Sequence, residues 1–188
     1  MPLAFPSHQG LILPLWRAFP ARIDAVALCV GAAMPDVVDG IAGAFRGHLG
    51  QWLGHSLVGV LVAVPPGLAL SHLARRYLPA AWIRRLDEGS APGRGWSRSA
   101  WSVAIGALSH LASDLLTHGG FPLLWPWYRN DHLFPSWWYH AWGHVPLPGY
   151  RDPYPIAPHT IAWVVFSIVG AWLFVVSVRR PMRDGSAV

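Results

Sequence analysis

Residues 106–120, GALSHLASDLLTHGG, place His110, Asp114 and His118 at i, i+4 and i+8, along one stripe of a helix. Two imidazoles and a carboxylate facing one way, among Ser, Ala and Leu, form a donor set suited to a zinc-like divalent cation. A single His in such a segment would be an ordinary core residue with a hydrogen-bond partner. Three ionisable groups on one stripe of an apolar helix are costly to bury unpaired, and that cost points to a bound ion. His8, Asp36 and His55 are the further candidates for the set. Two or more divalent ions could share these groups, with Asp114 bridging and Asp36 and Asp114 as the catalytic carboxylates. Bridged ions activate water and clamp a phosphoryl group through attack and departure. Asp39, His48 and Ser56 are expected beside the ligands or at the surface.

These residues need helices to hold them, and composition says where the helices sit. The 188-residue chain is 53% hydrophobic and only 12% charged, which points to a membrane protein. Residues 1–180 read as a single membrane-embedded domain, followed by a short cytoplasmic tail, 181–188. All 14 basic residues are Arg, and they flank apolar runs instead of forming a basic stripe. Membrane lipids with anionic headgroups are therefore the expected partner, not nucleic acid, and no protein partner is identifiable. Cys29 is the only cysteine, so neither a disulfide framework nor a thiolate cluster is available. The start, MPLAFPSHQG, lacks a charged n-region, so no cleavable signal peptide is expected.

The predicted fold class is all-α: a polytopic membrane helical bundle of three long spans plus a short N-terminal helical hairpin. The hairpin comprises residues 7–17, with Ser7 as N-cap and Pro14 inside, and residues 23–34, ending at Pro35-Asp36. The spans are 52–73, 99–116 and 161–178, the first expected to kink at Pro65-Pro66. Arg residues crowd 75–98 and the C-terminal tail, so both should face the cytoplasm, with the chain in the inner (plasma) membrane and its C-terminus inside. A rise of ~1.5 Å per residue then puts His110, Asp114 and His118 roughly 18 to 30 Å above Arg98. The same count puts Asp36 and His55 at similar depth and His8 somewhat lower. Separate helices thus bring ionisable groups to the outer half of the bilayer.

The segments PSHQGLILPLWR, GAAMPDVVDG, GHSLVG and GALSHLASDLLTH resemble an uncharacterised bacterial integral-membrane family similar to the inner-membrane metal-dependent hydrolases. More distantly, the order His … Asp … His … His-x3-Asp resembles zinc-dependent phospholipase C and the zinc single-strand nucleases, helical enzymes that hydrolyse phosphoesters. That resemblance implies a first zinc site from Asp36, His55, His110 and Asp114. It implies His8 and bridging Asp114 as part of a second. It also implies a metal-dependent phosphoester hydrolase. The third site of those enzymes has no full counterpart, since the nearest pair, His140 and His144, lacks the acid.

Residues 121–158 form a connection rich in Trp, Tyr and Pro. An aromatic belt at the membrane interface accounts for most of it. As a lid, it would admit a lipid headgroup, with Arg129 and Arg151 as the substrate-binding cations and Asn130 beside them. His132, His140, His144 and His159 read as ordinary loop residues. The expected function is hydrolysis of a lipid or lipid-linked phosphoester at the outer leaflet, with zinc as cofactor. The alternatives are a metal-stabilised scaffold without catalysis and a transporter or proton conduit, which intramembrane His and Asp also serve.

Overall fold

A computed structural model describes residues 6–47, 50–87, 95–118, 120–130, 134–146 and 153–179. The chain runs through α1 (Ser7–Ala18), α2 (Ala25–Gly31), α3 (Met34–Arg46), a 3-10 turn (Leu53–His55), α4 (Leu57–Tyr77), α5 (Ala80–Asp87) and α6 (Trp96–Thr117). It continues through β1 (Phe121–Leu124), β2 (Tyr128–Asn130), α7 (Ser136–Tyr139), β3 (Gly143–Val145), β4 (Tyr154–Ile156) and α8 (Pro158–Arg179). The architecture is mostly helical. The only sheet among the described residues is two small antiparallel pairs, β1–β2 and β3–β4, in the aromatic connection.

α6 is the central helix. Its buried residues, among them Ser102, Val103, Gly106, Ala107, His110, Ser113, Asp114 and Thr117, recur every three or four positions and make one continuous stripe. α2 and α4 pack on that stripe, while α1 lies along α8. Small residues set the distances. A Cβ at Gly106 would stand 2.3 Å from the Leu28 carbonyl oxygen, and one at Gly10 would stand 1.7 Å from that of Gly170. Glycine at these crossings lets backbones approach as they do in membrane bundles. The α1–α8 contact is tied at both ends: the Ser7 hydroxyl donates to the Ser167 carbonyl and Arg17 donates to that of Ser177.

α4 and α8 are long and apolar enough to cross a membrane, and α2 with α3 qualifies as a third, broken span bent by 41°. The three expected spans are therefore not all recovered as such. α6 falls short of the same hydropathy, because Ser, His and Asp dilute its apolar residues. α8 keeps large side chains such as Ile168 and Trp172 outward, as a lipid-facing helix does.

Two local expectations change. Pro35-Asp36 starts a helix instead of stopping one: Pro35 sits in the first turn of α3, where its missing N–H costs nothing, and Asp36 sits beside it. Ser7 is the first helical residue behind Pro6, not the N-cap, because its hydroxyl is used on α8. Pro65 and Pro66 lie inside α4, a single helix from Leu57 to Tyr77.

A second polar cluster lies at the opposite end of the bundle. Asp24 caps α2, accepting from the Ala27 N–H, the Ser99 hydroxyl and the Arg75 guanidinium. Arg75 also donates to Asp87, and the Asp24 N–H donates to Ser102. Burial pushes the Asp24 carboxyl up, but the Ala27 N–H, Ser99 and Arg75 outweigh it and hold the group below the ordinary carboxylate range. A cavity of about 320 Å³ beside it is lined by Leu68, Ser71, His72 and Trp96.

Candidate metal centre

Four pieces of chain meet at the other end of α6. His8 comes from the first turn of α1, Asp36 from the first turn of α3, His55 from the 3-10 turn, and His110 and Asp114 from α6. His8, His55, His110 and Asp114 are buried, while the Asp36 side chain is 40% exposed. Asp36 therefore marks the side on which the cluster opens.

Each imidazole is oriented through Nδ1. His110 Nδ1–H donates to the Ala32 carbonyl (2.8 Å), and His55 Nδ1–H donates to Asp39 Oδ2 (2.7 Å). His8 Nδ1 meets the Ser113 hydroxyl (2.9 Å), whose own hydrogen goes to the His110 carbonyl, so here too Nδ1–H is the donor. When the rings are neutral with the proton on Nδ1, the three Nε2 lone pairs turn into the cluster. Asp39 is itself fixed by the Trp52 and Gly54 N–H groups, at 2.6 and 2.7 Å. A carboxylate behind a ligating His sets its tautomer and raises its basicity.

His55, His110 and Asp114 bring their inward atoms to the spacing of one ion, with Asp36 beside the two imidazoles. His55 Nε2 lies 3.2 Å from His110 Nε2 and 3.2 Å from Asp114 Oδ2, and the latter two atoms are 3.5 Å apart. Asp36 Oδ1 stands 3.6 Å from His55 Nε2 and 3.7 Å from His110 Nε2. Ligands at the ordinary Zn–N and Zn–O lengths sit roughly 3.3 Å apart around one ion. On the far side, His8 Nε2 faces Asp114 Oδ1 at 3.4 Å, and both atoms are buried without a hydrogen-bond partner. The His8 and His110 rings stack at 3.7 Å, and His8, Asp36 and His110 form a second group able to hold an ion. Acceptor facing acceptor in a buried site is the pattern a cation relieves and a hydrogen bond between them does not.

Residues 6–182 match the YdjM inner membrane protein family, and every residue of the cluster lies within that match. The chain belongs to this family. It is an inner-membrane protein. Neither the curated proteins nor the solved structures give a match.

In this YdjM family member the structure gathers five of the six sequence-derived ligand candidates, His8, Asp36, His55, His110 and Asp114. His118 sits at the edge of the cluster: it is the C-cap of α6, with extended backbone, and its Nδ1 contacts the Thr117 hydroxyl (2.9 Å) and the Asp114 carbonyl (3.2 Å). It reaches 3.7 Å from Asp114 Oδ2. Arg129 falls in β2 with its side chain outside the described residues; Arg151, His132 and His48 lie outside them altogether. His140 and His144 are exposed, and His159 Nδ1 contacts the Trp138 carbonyl. Ser56 caps α4 at the Gly59 N–H.

Sequence reading missed several supporting groups. Ser113 shares the His110–Asp114 stripe, so its role was legible from spacing. Asp24 precedes an apolar run with the spacing of an N-cap, a signal that was also present. The Ala32 carbonyl carries no side-chain signal at all. Nor did anything mark Gln51, whose amide donates to Asp114 Oδ2 at 3.1 Å.

Proposed function

We propose that this protein is a membrane-embedded, metal-dependent hydrolase of a lipid or lipid-linked phosphoester, with Asp36, His55, His110 and Asp114 holding one divalent ion, zinc by donor type. His8, with Asp114 bridging, serves a second. The observation that carries the reading is the buried meeting of Nε2 lone pairs and carboxylate oxygens at 3.2 to 3.7 Å, with His8 Nε2 and Asp114 Oδ1 left without partners. A donor set of nitrogen and oxygen without thiolate suits zinc and its neighbours.

When bound, such an ion supplies Lewis-acid polarisation of a phosphoryl oxygen and makes water a usable nucleophile near neutral pH. The chain's own residues do the rest. Asp39 and the Ala32 carbonyl hold His55 and His110 in the ligating tautomer. Asp36, the exposed member, sits where water and substrate enter and can take up a proton there. The apolar bundle keeps bulk water from the buried side. The distant resemblance to zinc phospholipases supports phosphoester chemistry by analogy of residue order. The Arg bias supports placing the cluster in the outer leaflet with the C-terminus in the cytoplasm. His118, 3.7 Å from Asp114 Oδ2, borders the entrance in this reading.

Purified protein in detergent should release headgroup from a phospholipid or polyprenyl phosphoester, stop on chelation, and recover with zinc. Asp36→Asn should lower the rate by at least about a hundredfold, the order expected for a general base. Unchanged release by Asp36→Asn, or release indifferent to chelator, would sink the reading.

A further inference from the structure

One cation beside the cluster has no assigned role. Arg46 ends α3, the helix that carries Asp36 and Asp39, and it follows Asp39 by seven residues, so the two share a face. Its side chain folds back along the helix towards them: Nε donates to the Ala42 carbonyl at 3.4 Å. The guanidinium lies over the Trp52 ring, 4.0 Å from its centroid. Trp52 is itself fixed, by its N–H on Asp39 Oδ2 and by an edge contact to Trp125 at 5.3 Å. Gln51, next to Trp52 in the chain, donates to Asp114 Oδ2. The guanidinium is thus linked to the cluster through Trp52, which is bonded to Asp39 and adjoins a residue that touches Asp114.

Arg46 Nη2 is buried and has no hydrogen-bond partner. A guanidinium stacked on an indole keeps its planar edge available, and that edge is a fork for two oxygens of one phosphate or carboxylate. The cluster opens at the carboxylate of Asp36, with Asp39 and Asp114 buried behind it, and an anion approaching that negative charge needs a fixed positive group. We infer that Arg46, clamped on Trp52, is the anion-recognising residue of this site and takes a non-bridging phosphoryl oxygen pair of the substrate. This rests on the hydrolase reading above and names the group that positions its substrate, in place of Arg129 and Arg151.

The test uses the full chain in detergent, with metal content measured on each sample. Wild type, Arg46→Ala and Arg46→Lys are titrated with inorganic phosphate and, separately, with phosphatidic acid in zwitterionic mixed micelles. Arg46→Ala should weaken phosphate binding by at least about tenfold, the order of one charge-assisted pair, with metal content and unfolding temperature at wild-type values. Arg46→Lys should recover part of the loss, as a point charge without the fork does. Weakening confined to phosphatidic acid assigns the anion to a lipid headgroup; weakening confined to inorganic phosphate assigns it to a soluble phosphoester. Equal binding by wild type and Arg46→Ala, no binding by wild type, or a parallel fall in metal content each overturns the inference, the last by making Arg46 a structural strut. A wild type that binds phosphate through Arg46 yet releases no headgroup overturns the hydrolase reading and leaves this one standing.

Discussion

The bundle holds two buried polar clusters, and they are wired oppositely. At the Arg-rich end, Asp24 is met by Arg75, Ser99 and the Ala27 N–H, and Arg75 is shared with Asp87, so acceptors face donors. At the other end, three imidazoles spend their N–H groups outward and point Nε2 at carboxylate oxygens, so acceptors face acceptors. The first cluster is complete as protein and has a structural purpose: it pins α2, α4, α5 and α6 together. The second leaves His8 Nε2 and Asp114 Oδ1 without partners, and the proposed cation would complete it. Burial alone does not separate the two clusters; the sign of the unmatched groups does.

The comparison breaks most readily by exchanging consequences. Asp114→Ala should bring metal content down to background. Asp24→Ala should leave metal per folded molecule unchanged and cost about 1–3 kcal/mol, because the Ala27 N–H and the Ser99 hydroxyl lose their acceptor while Arg75 keeps Asp87. Elemental analysis beside detergent unfolding separates the two; metal loss in the Asp24 variant, or metal retention in the Asp114 variant, would erase the distinction.

A smaller effect should follow from Asp39→Asn. The carboxamide keeps the Asp39 contacts in outline but supports His55 Nδ1–H less strongly. Metal affinity should fall by about 10- to 100-fold, the usual cost of removing such a support. Competition against a chromogenic chelator reads this directly, and an affinity within twofold of wild type would mean that His55 is not a ligand.

The gentlest test is pH. The folded-state carboxyl of Asp24 titrates below its unfolded value of about 3.9, so its contribution is fully present above that value. It is lost as pH falls through the lower folded value. From this group, stability should be level between roughly pH 5 and 8 and decline only below about pH 4. Asp24→Asn should start less stable and show a flatter acid limb in unfolding scans. An identical acid limb in the variant would remove Asp24 from the account.

Much of this was determined by local chemistry. Apolar runs bounded by Arg specify membrane helices whatever they pack against, and α4 and α8 follow from length and hydropathy alone. His110 and Asp114 share a stripe because a helix repeats every 3.6 residues. The aromatic connection was legible as a link between helices, although its two strand pairs were not, since short hairpins there carry no alternating pattern strong enough to read.

Tertiary structure decided what periodicity cannot encode. His118 belongs to the same stripe by counting, yet the helix ends one residue earlier and its ring turns to Thr117 and the Asp114 carbonyl. Pro35 reads equally as the end of one helix or the start of another, and the start is chosen because a second helix carries Asp36 to the cluster. The tautomer of His110 is set by a backbone carbonyl on α2, which reaches it because Gly106 admits close contact. Nothing in the sequence marks Arg46, and its place is set by the Trp52 ring beneath it. For His110 and Arg46 the deciding partner is a backbone group or a ring from another segment, and only the packed chain brings it into contact.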